Sequence, residues 1–228
     1  MKQISFPKIG QFPQVVSDIS RKITFTGLDE NGDAIYDPTI EKPTLTFTGS
    51  VKLHGTNAGI SYNDEYGIWA QSKENVITSA KDNAGFAFFV ESNEDLFKEM
   101  MIKIASDHNI DTSIYTLTIY GEWVGKKVQK TVAISGIEKS LFIFGLKVSK
   151  IGDLDFSAYW LDSAGLRSPD HRVYNILDYK TFKVDVDFNM PKLAQKKFVE
   201  LVEEVENECP VAKEFGHIGI GEGIVWSV

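Results

Sequence analysis

Short runs of β-branched and aromatic residues, separated by turn formers, constrain this chain more than any other feature. TLTFTGSV over residues 44–51 and IYTLTIYGEWV over 114–124 alternate as strands do, and LFIFGLKV over 141–148 is a third, apolar strand. Within AGISYNDEYGIWAQS, Asn63-Asp64 and Gly67 mark a turn between two strands. The polar stretch 28–43, rich in turn formers, reads as a loop. Two segments are helical in pattern. Residues 94–107 place Leu96, Phe97, Met100, Met101 and Ile104 on one face, and residues 191–206 repeat through Leu193, Ala194, Lys197, Phe198, Leu201, Val202 and Val205, with Pro191 suited to a helix start. GIGEGIVWSV at the end reads as a turn followed by a buried strand. Strands outnumber helices and short turns join them, so the expected fold is α+β, built on antiparallel sheets flanked by helices.

A chain of 228 residues that is 43% hydrophobic can build a core without disulfides. The single cysteine, Cys209, allows no internal pairing and fits a reducing, cytoplasmic setting. No apolar run nears the roughly 20 residues that span a membrane, so no membrane partner is expected. The opening MKQISFPKIGQFPQ has no signal-peptide core and is expected to start at its natural Met1. The net charge of −8 argues against a protein that coats nucleic acid. Yet residues 121–150 hold six lysines (126, 127, 130, 139, 147 and 150) against Glu122 and Glu138, a local surplus of four. That suits a surface gripping a few phosphates.

Lys52 stands where an apolar strand gives way to Leu53-His54-Gly55-Thr56-Asn57. An amine acts as a nucleophile once partial burial and nearby positive charge favour its neutral form. Gly55 would let the backbone approach a ligand closely. Nucleotide loops of the GxxxxGK[ST] and GxGxxG types are absent, as are CxxC and HExxH, and His54, His108, His171 and His217 are too scattered for a zinc site. Asp155, Asp162 and Asp170 lie in a stretch read as loop.

The string KLHGTN resembles the nucleotidyltransferase signature of the RNA ligase 2 and RNA-editing ligase family, Lys-x-His-Gly-x-Asn. Further resemblances follow in family order: Gln71-Ser72-Lys73, Tyr120-Gly121-Glu122-Trp123, Phe142-Ile143-Phe144-Gly145-Leu146 and Glu222-Gly223-Ile224-Val225. The resemblance implies a nucleotidyltransferase (ATP-grasp-like ligase) domain over residues 1–228. It implies an ATP-dependent RNA ligase in which Lys52 takes up AMP and passes it to an RNA 5′-phosphate, which a 3′-hydroxyl then attacks. Val51, His54, Gly55, Asn57, Lys73, Glu122, Phe144, Glu222 and Ile224 would form the nucleotide site. Phe144 would stack on adenine, with Ile224 and Val225 closing its other face, and Asn57 would serve the sealing steps. Glu122 and Glu222 would serve Mg²⁺ or Mn²⁺. Lys126, Lys127 and Lys130, with Gln129 between them, would face phosphates of RNA strand ends or a nicked duplex. GEWVGKKVQK is similar to phage-type members, which would put the protein in a host cytoplasm, and a monomer is expected.

Two departures stand out. Lys73 replaces a family Arg, which makes a two-pronged contact that Lys does not copy. The family's final Lys-x-Lys motif has no counterpart before Val228, so the domain is expected to be C-terminally incomplete. The alternatives are an ATP-dependent DNA ligase or a GTP-using capping enzyme, both of which carry Asp where His54 stands, and a non-catalytic nucleotide or nucleic-acid binding module.

Overall fold

The computed structural model describes residues 1–152 and 157–228, so Asp155 lies outside the described residues. Helix α1 (Phe12–Thr24) leads into a hairpin, β1 (Phe25–Leu28) and β2 (Ala34–Tyr36). Then follow β3 (Thr44–Lys52), β4 (Thr56–Asn63), β5 (Gly67–Ser72), β6 (Val76–Ile77), α2 (Phe86–Ser92), α3 (Glu94–Asp107), β7 (Tyr115–Val124) and β8 (Ser140–Lys150). The chain continues through β9 (Tyr159–Leu161), β10 (Val173–Asn175), β11 (Thr181–Asp187), α4 (Gln195–Asn207), α5 (Pro210–Glu214) and β12 (Gly223–Ser227).

Two sheets carry the architecture. The larger runs β10-β8-β7-β4-β5-β6, with β9 also paired to β8, and the smaller runs β11-β3-β12. Pairing is antiparallel except between β10 and β8, which run parallel. One face of the large sheet carries Ile60, Leu117, Ile119, Trp123, Ile143 and Val148, packed under Phe86, Phe89, Phe97 and Met101 of α2 and α3. Helix α3 is set by acidic residues in its first turn and by Phe97, Met101 and Ile104 at helical spacing, all buried. Helix α2 starts where the Asp82 carboxylate accepts bonds from the Ala87 and Phe88 amides, at 2.8 and 3.1 Å. A second core (Val51, Val124, Phe142, Phe182, Val205, Val211) fills the space between the sheets, α4 and α5.

Four elements depart from the sequence reading. The loop expected over 28–43 contains β2, which pairs back on β1 around a turn where Asp29 accepts from the Asn31 and Asp33 amides. Asp162 lies in loop after β9 as expected, whereas Asp170 sits in a 3₁₀ turn, Pro169–His171. Leu193, assigned to the buried face of the second helix, is 72% exposed, because residues Pro191–Ala194 form a 3₁₀ turn with a different period. The last strand, β12, lies at an edge of the small sheet and is half-buried.

Phe97 and Leu193 test this layout by denaturant unfolding. Phe97→Ala opens the core under α3 and costs about 3–5 kcal/mol, whereas Leu193→Ala stays within about 0.5 kcal/mol. A large loss at Leu193 would mean that its face is buried.

Candidate active site

Strand β3 belongs to the small sheet and β4 to the large one, so Leu53, His54 and Gly55 carry the chain from one to the other. Lys52 therefore stands at the seam. Gly223 of β12 is paired directly with Lys52, and this register brings Glu222, the residue just before it, onto the Lys52 ammonium as an ion pair. The other Glu222 oxygen lies 3.4 Å from His54 Nδ1. From the large sheet, β7 presents Glu122, paired in register with Asn57 of β4. One Glu122 oxygen accepts the Gly55 amide at 3.0 Å. A side chain at position 55 would meet the Trp123 carbonyl oxygen at 2.2 Å. Gly55 is thus required for close approach to β7.

These groups line one cavity of about 480 Å³. Val51, Lys52, His54, Gly55, Asn57, Glu122, Phe144 and Glu222, all singled out in the sequence, border it. Phe144 reaches it through a β-bulge. The register between β7 and β8 steps from Tyr120–Gly145 to Gly121–Ile143, so Phe144 has no direct partner and the side-chain alternation of β8 switches there.

Ile224 does not line the cavity. It pairs with Val51 and packs into the second core, while Val225, opposite Ser50, faces the cavity. Lys73 is also elsewhere: it is exposed in the turn after β5, and its carbonyl accepts from Gln3 at 2.7 Å. Lys126 pairs with Glu138 at 2.5 Å, and Lys127 and Lys130 are exposed beside the site without lining it. Gln129 ties their loop to the site by donating to the Gly55 carbonyl at 3.2 Å.

Lys52 is partly buried as expected, but the neighbouring charge is negative rather than positive. Its side chain is 49% exposed, and its charged partner is the Glu222 carboxylate. The perturbed group is Glu122. Burial raises its pKa from 4.5 to about 7, the Gly55 amide opposes the rise, Glu222 adds to it, and Lys52 lowers it.

Several lining residues carried no signal for this role. Phe142 precedes Phe144 by two on the same strand, and Trp226 follows the Glu-Gly motif, so both were within reach of the motifs. Phe6 and Ile9 come from the N-terminal segment, which nothing local ties to the site.

A family profile described as RNA ligase matches residues 45–227. No curated protein matches. Among solved structures, a Naegleria gruberi RNA ligase mutant with AMP and Mn is similar to this chain at 14% identity and a TM-score of 0.53, over 98% of this chain and 52% of that one. The Naegleria gruberi ligase with PPi aligns at 14% identity and a TM-score of 0.50, over 98% and 54%. A further mutant of it with ATP and Mn aligns at 15% and 0.50, over 100% and 56%. At such identity the likeness is one of fold, and the chain spans about half the length of the ligases it matches.

Glu122→Gln isolates the buried carboxylate. Between pH 4.5 and about 7 the folded protein keeps a proton that the unfolded chain releases, so stability falls as pH rises through that window. Thermal unfolding of the Gln variant should lose this slope, leaving it more stable than the parent at pH 8. A parent and variant with parallel pH profiles would contradict the buried, proton-holding Glu122.

Proposed function

The chain belongs to the RNA ligase family, and on that premise we propose that it joins RNA ends at the expense of ATP, through AMP held on Lys52. The observation that carries this reading is the convergence of Lys52, Glu122 and Glu222, from three distant segments, on one cavity with an aromatic wall. A nucleotide has an apolar base and a charged phosphate tail, and the cavity offers Phe144 for the one and Lys52 for the other.

In the first step the Lys52 Nζ attacks the α-phosphorus of ATP, a P–N bond forms, and the bond to the β-phosphate oxygen breaks to release pyrophosphate. The ammonium gives up its proton beforehand, and Glu222, already bonded to it, is the acceptor within reach. In the second step a 5′-phosphate oxygen of RNA displaces Lys52 from the AMP. In the third a 3′-hydroxyl attacks the activated phosphate and AMP leaves. Positioning and charge neutralisation dominate such transfers.

Among the described residues no group of three or more His, Cys, Asp or Glu side chains is placed to hold a metal ion unaided. Glu122 and Glu222 alone suit Mg²⁺ or Mn²⁺ of the kind that keeps much of its water shell and binds through one or two carboxylates and substrate phosphate. Such an ion would withdraw charge from the phosphate under attack. Lys127 and Lys130, exposed and carried on the loop that Gln129 ties to Gly55, are suited to the phosphates of the RNA ends. RNA is preferred over DNA on His54, which stands where DNA ligases and capping enzymes carry Asp. No helix of the described residues is long and apolar enough to cross a membrane.

Intact-mass measurement after incubation with ATP and Mg²⁺ or Mn²⁺ tests the first step. The chain should gain one AMP, Lys52→Ala should gain nothing, and GTP should leave both unchanged. Labelling by GTP would favour a capping-type enzyme, and absence of any adduct would leave a binding module.

A further inference from the structure

The N-terminal segment ahead of α1 is strapped across the large sheet and ends at the cavity. Its anchor is Gln71, a fully buried side chain of β5. The Gln71 carboxamide accepts the Ile4 amide at 3.0 Å and donates to the Ile4 carbonyl at 2.6 Å, as a neighbouring strand would. The Tyr120 hydroxyl donates to the same carbonyl at 2.8 Å. Two residues on, the Phe6 ring meets Phe144 edge-on, with centroids 5.1 Å apart, and meets Tyr120 and Trp160 at 5.2 and 5.3 Å. Gly145 lies beneath these rings: a side chain there would press the Trp160 ring at 3.2 Å and touch the Phe6 ring at 3.5 Å. Beyond Phe6, Ile9 borders the cavity while 58% exposed, leaving apolar surface that a ligand would cover.

We propose that this strap is a wall of the nucleotide cavity and that Phe6 is an affinity determinant for the nucleobase, contributed from outside every motif of the family. The inference rests on the nucleotide reading of the cavity given above. The aromatic face offered to a base is then a corner of two rings: Phe144 from the sheet and Phe6 from the strap, held at 80° to one another. The corner is preformed, because Gln71 and Tyr120 fix the backbone two residues earlier. An edge-on aromatic contact of this kind contributes to binding without touching the phosphates. Phe6 is accordingly a binding residue, and its loss acts on nucleotide affinity rather than on the rate of phosphoryl transfer.

Calorimetric titration of ATP, carried out on full-length chains bearing Lys52→Ala so that no covalent product forms, separates this inference from the ligase reading. Against the Phe6 parent, Phe6→Ala should weaken binding about tenfold and Phe6→Tyr should restore most of it, while melting curves show all three folded. In chains that keep Lys52, Phe6→Ala should raise the ATP concentration for half-maximal adduct formation by a similar factor and leave the saturated rate nearly unchanged. Failure to form any adduct, with ATP binding still dependent on Phe6, removes the ligase reading and keeps the strap. Absence of ATP binding, binding indifferent to Phe6, or a fall in saturated rate at unchanged half-saturation overturns the strap's role.

Discussion

Everything at the site depends on β3 pairing with β12 in one register. That pairing sets the Glu222 carboxylate against the Lys52 ammonium, 170 positions away in the chain. The entropic cost of closing so long a loop grows only slowly with its length. It is offset by the apolar burial of Ile224 and Trp226 on the inner face of β12, over Gly49, where a side chain would strike both at 2.7 Å. The small sheet thus delivers two charges of opposite sign to its edge, and the large sheet receives them. A one-residue slip would turn Val225 into the core and Ile224 into the cavity.

Glu122 is the counterpart from the other sheet. Its burial is unfavourable to the charged form, and the Gly55 amide offsets only part of that. A carboxylate kept in such a place costs stability, which the nearby Lys52 charge offsets in part. Cavities that collect negative charge at one wall and aromatic surface at another suit ligands with a polyanionic tail and a flat base. On the proposed reading Glu122 and Glu222 would take such a tail with a divalent cation, and the bulge turns Phe144, an otherwise core aromatic, to the cavity.

Local chemistry made much of the fold legible. The apolar spacing over residues 94–107 predicts a helix with the bounds the structure gives. The strands leading to Lys52 and Glu122 are legible from alternation, and that of Phe144 from its apolar run. Their convergence was not: it came from the order of motifs along the chain, since no local pattern states which strand pairs with which. What escaped is long-range or depends on register. Choosing between Ile224 and Val225 needs the β3–β12 register. Phe6 and Ile9 reach the cavity only because Gln71, in a strand 67 residues away from Ile4, accepts and donates as a strand neighbour would. Lys73 was assigned by motif order, yet the turn after β5 carries it away from the cavity.

The central claim is that AMP on Lys52 is an intermediate rather than an end product. Single-turnover transfer tests it most directly: chain carrying AMP is freed of ATP, then mixed with 5′-phosphorylated RNA opposite a 3′-hydroxyl end in the presence of the divalent cation. The account predicts that the AMP leaves the protein and that joined strands appear in amounts matching the AMP lost, with far less joining on an otherwise identical DNA strand. An adduct that persists in the presence of RNA, or strands that join equally well with Lys52→Ala, would contradict it.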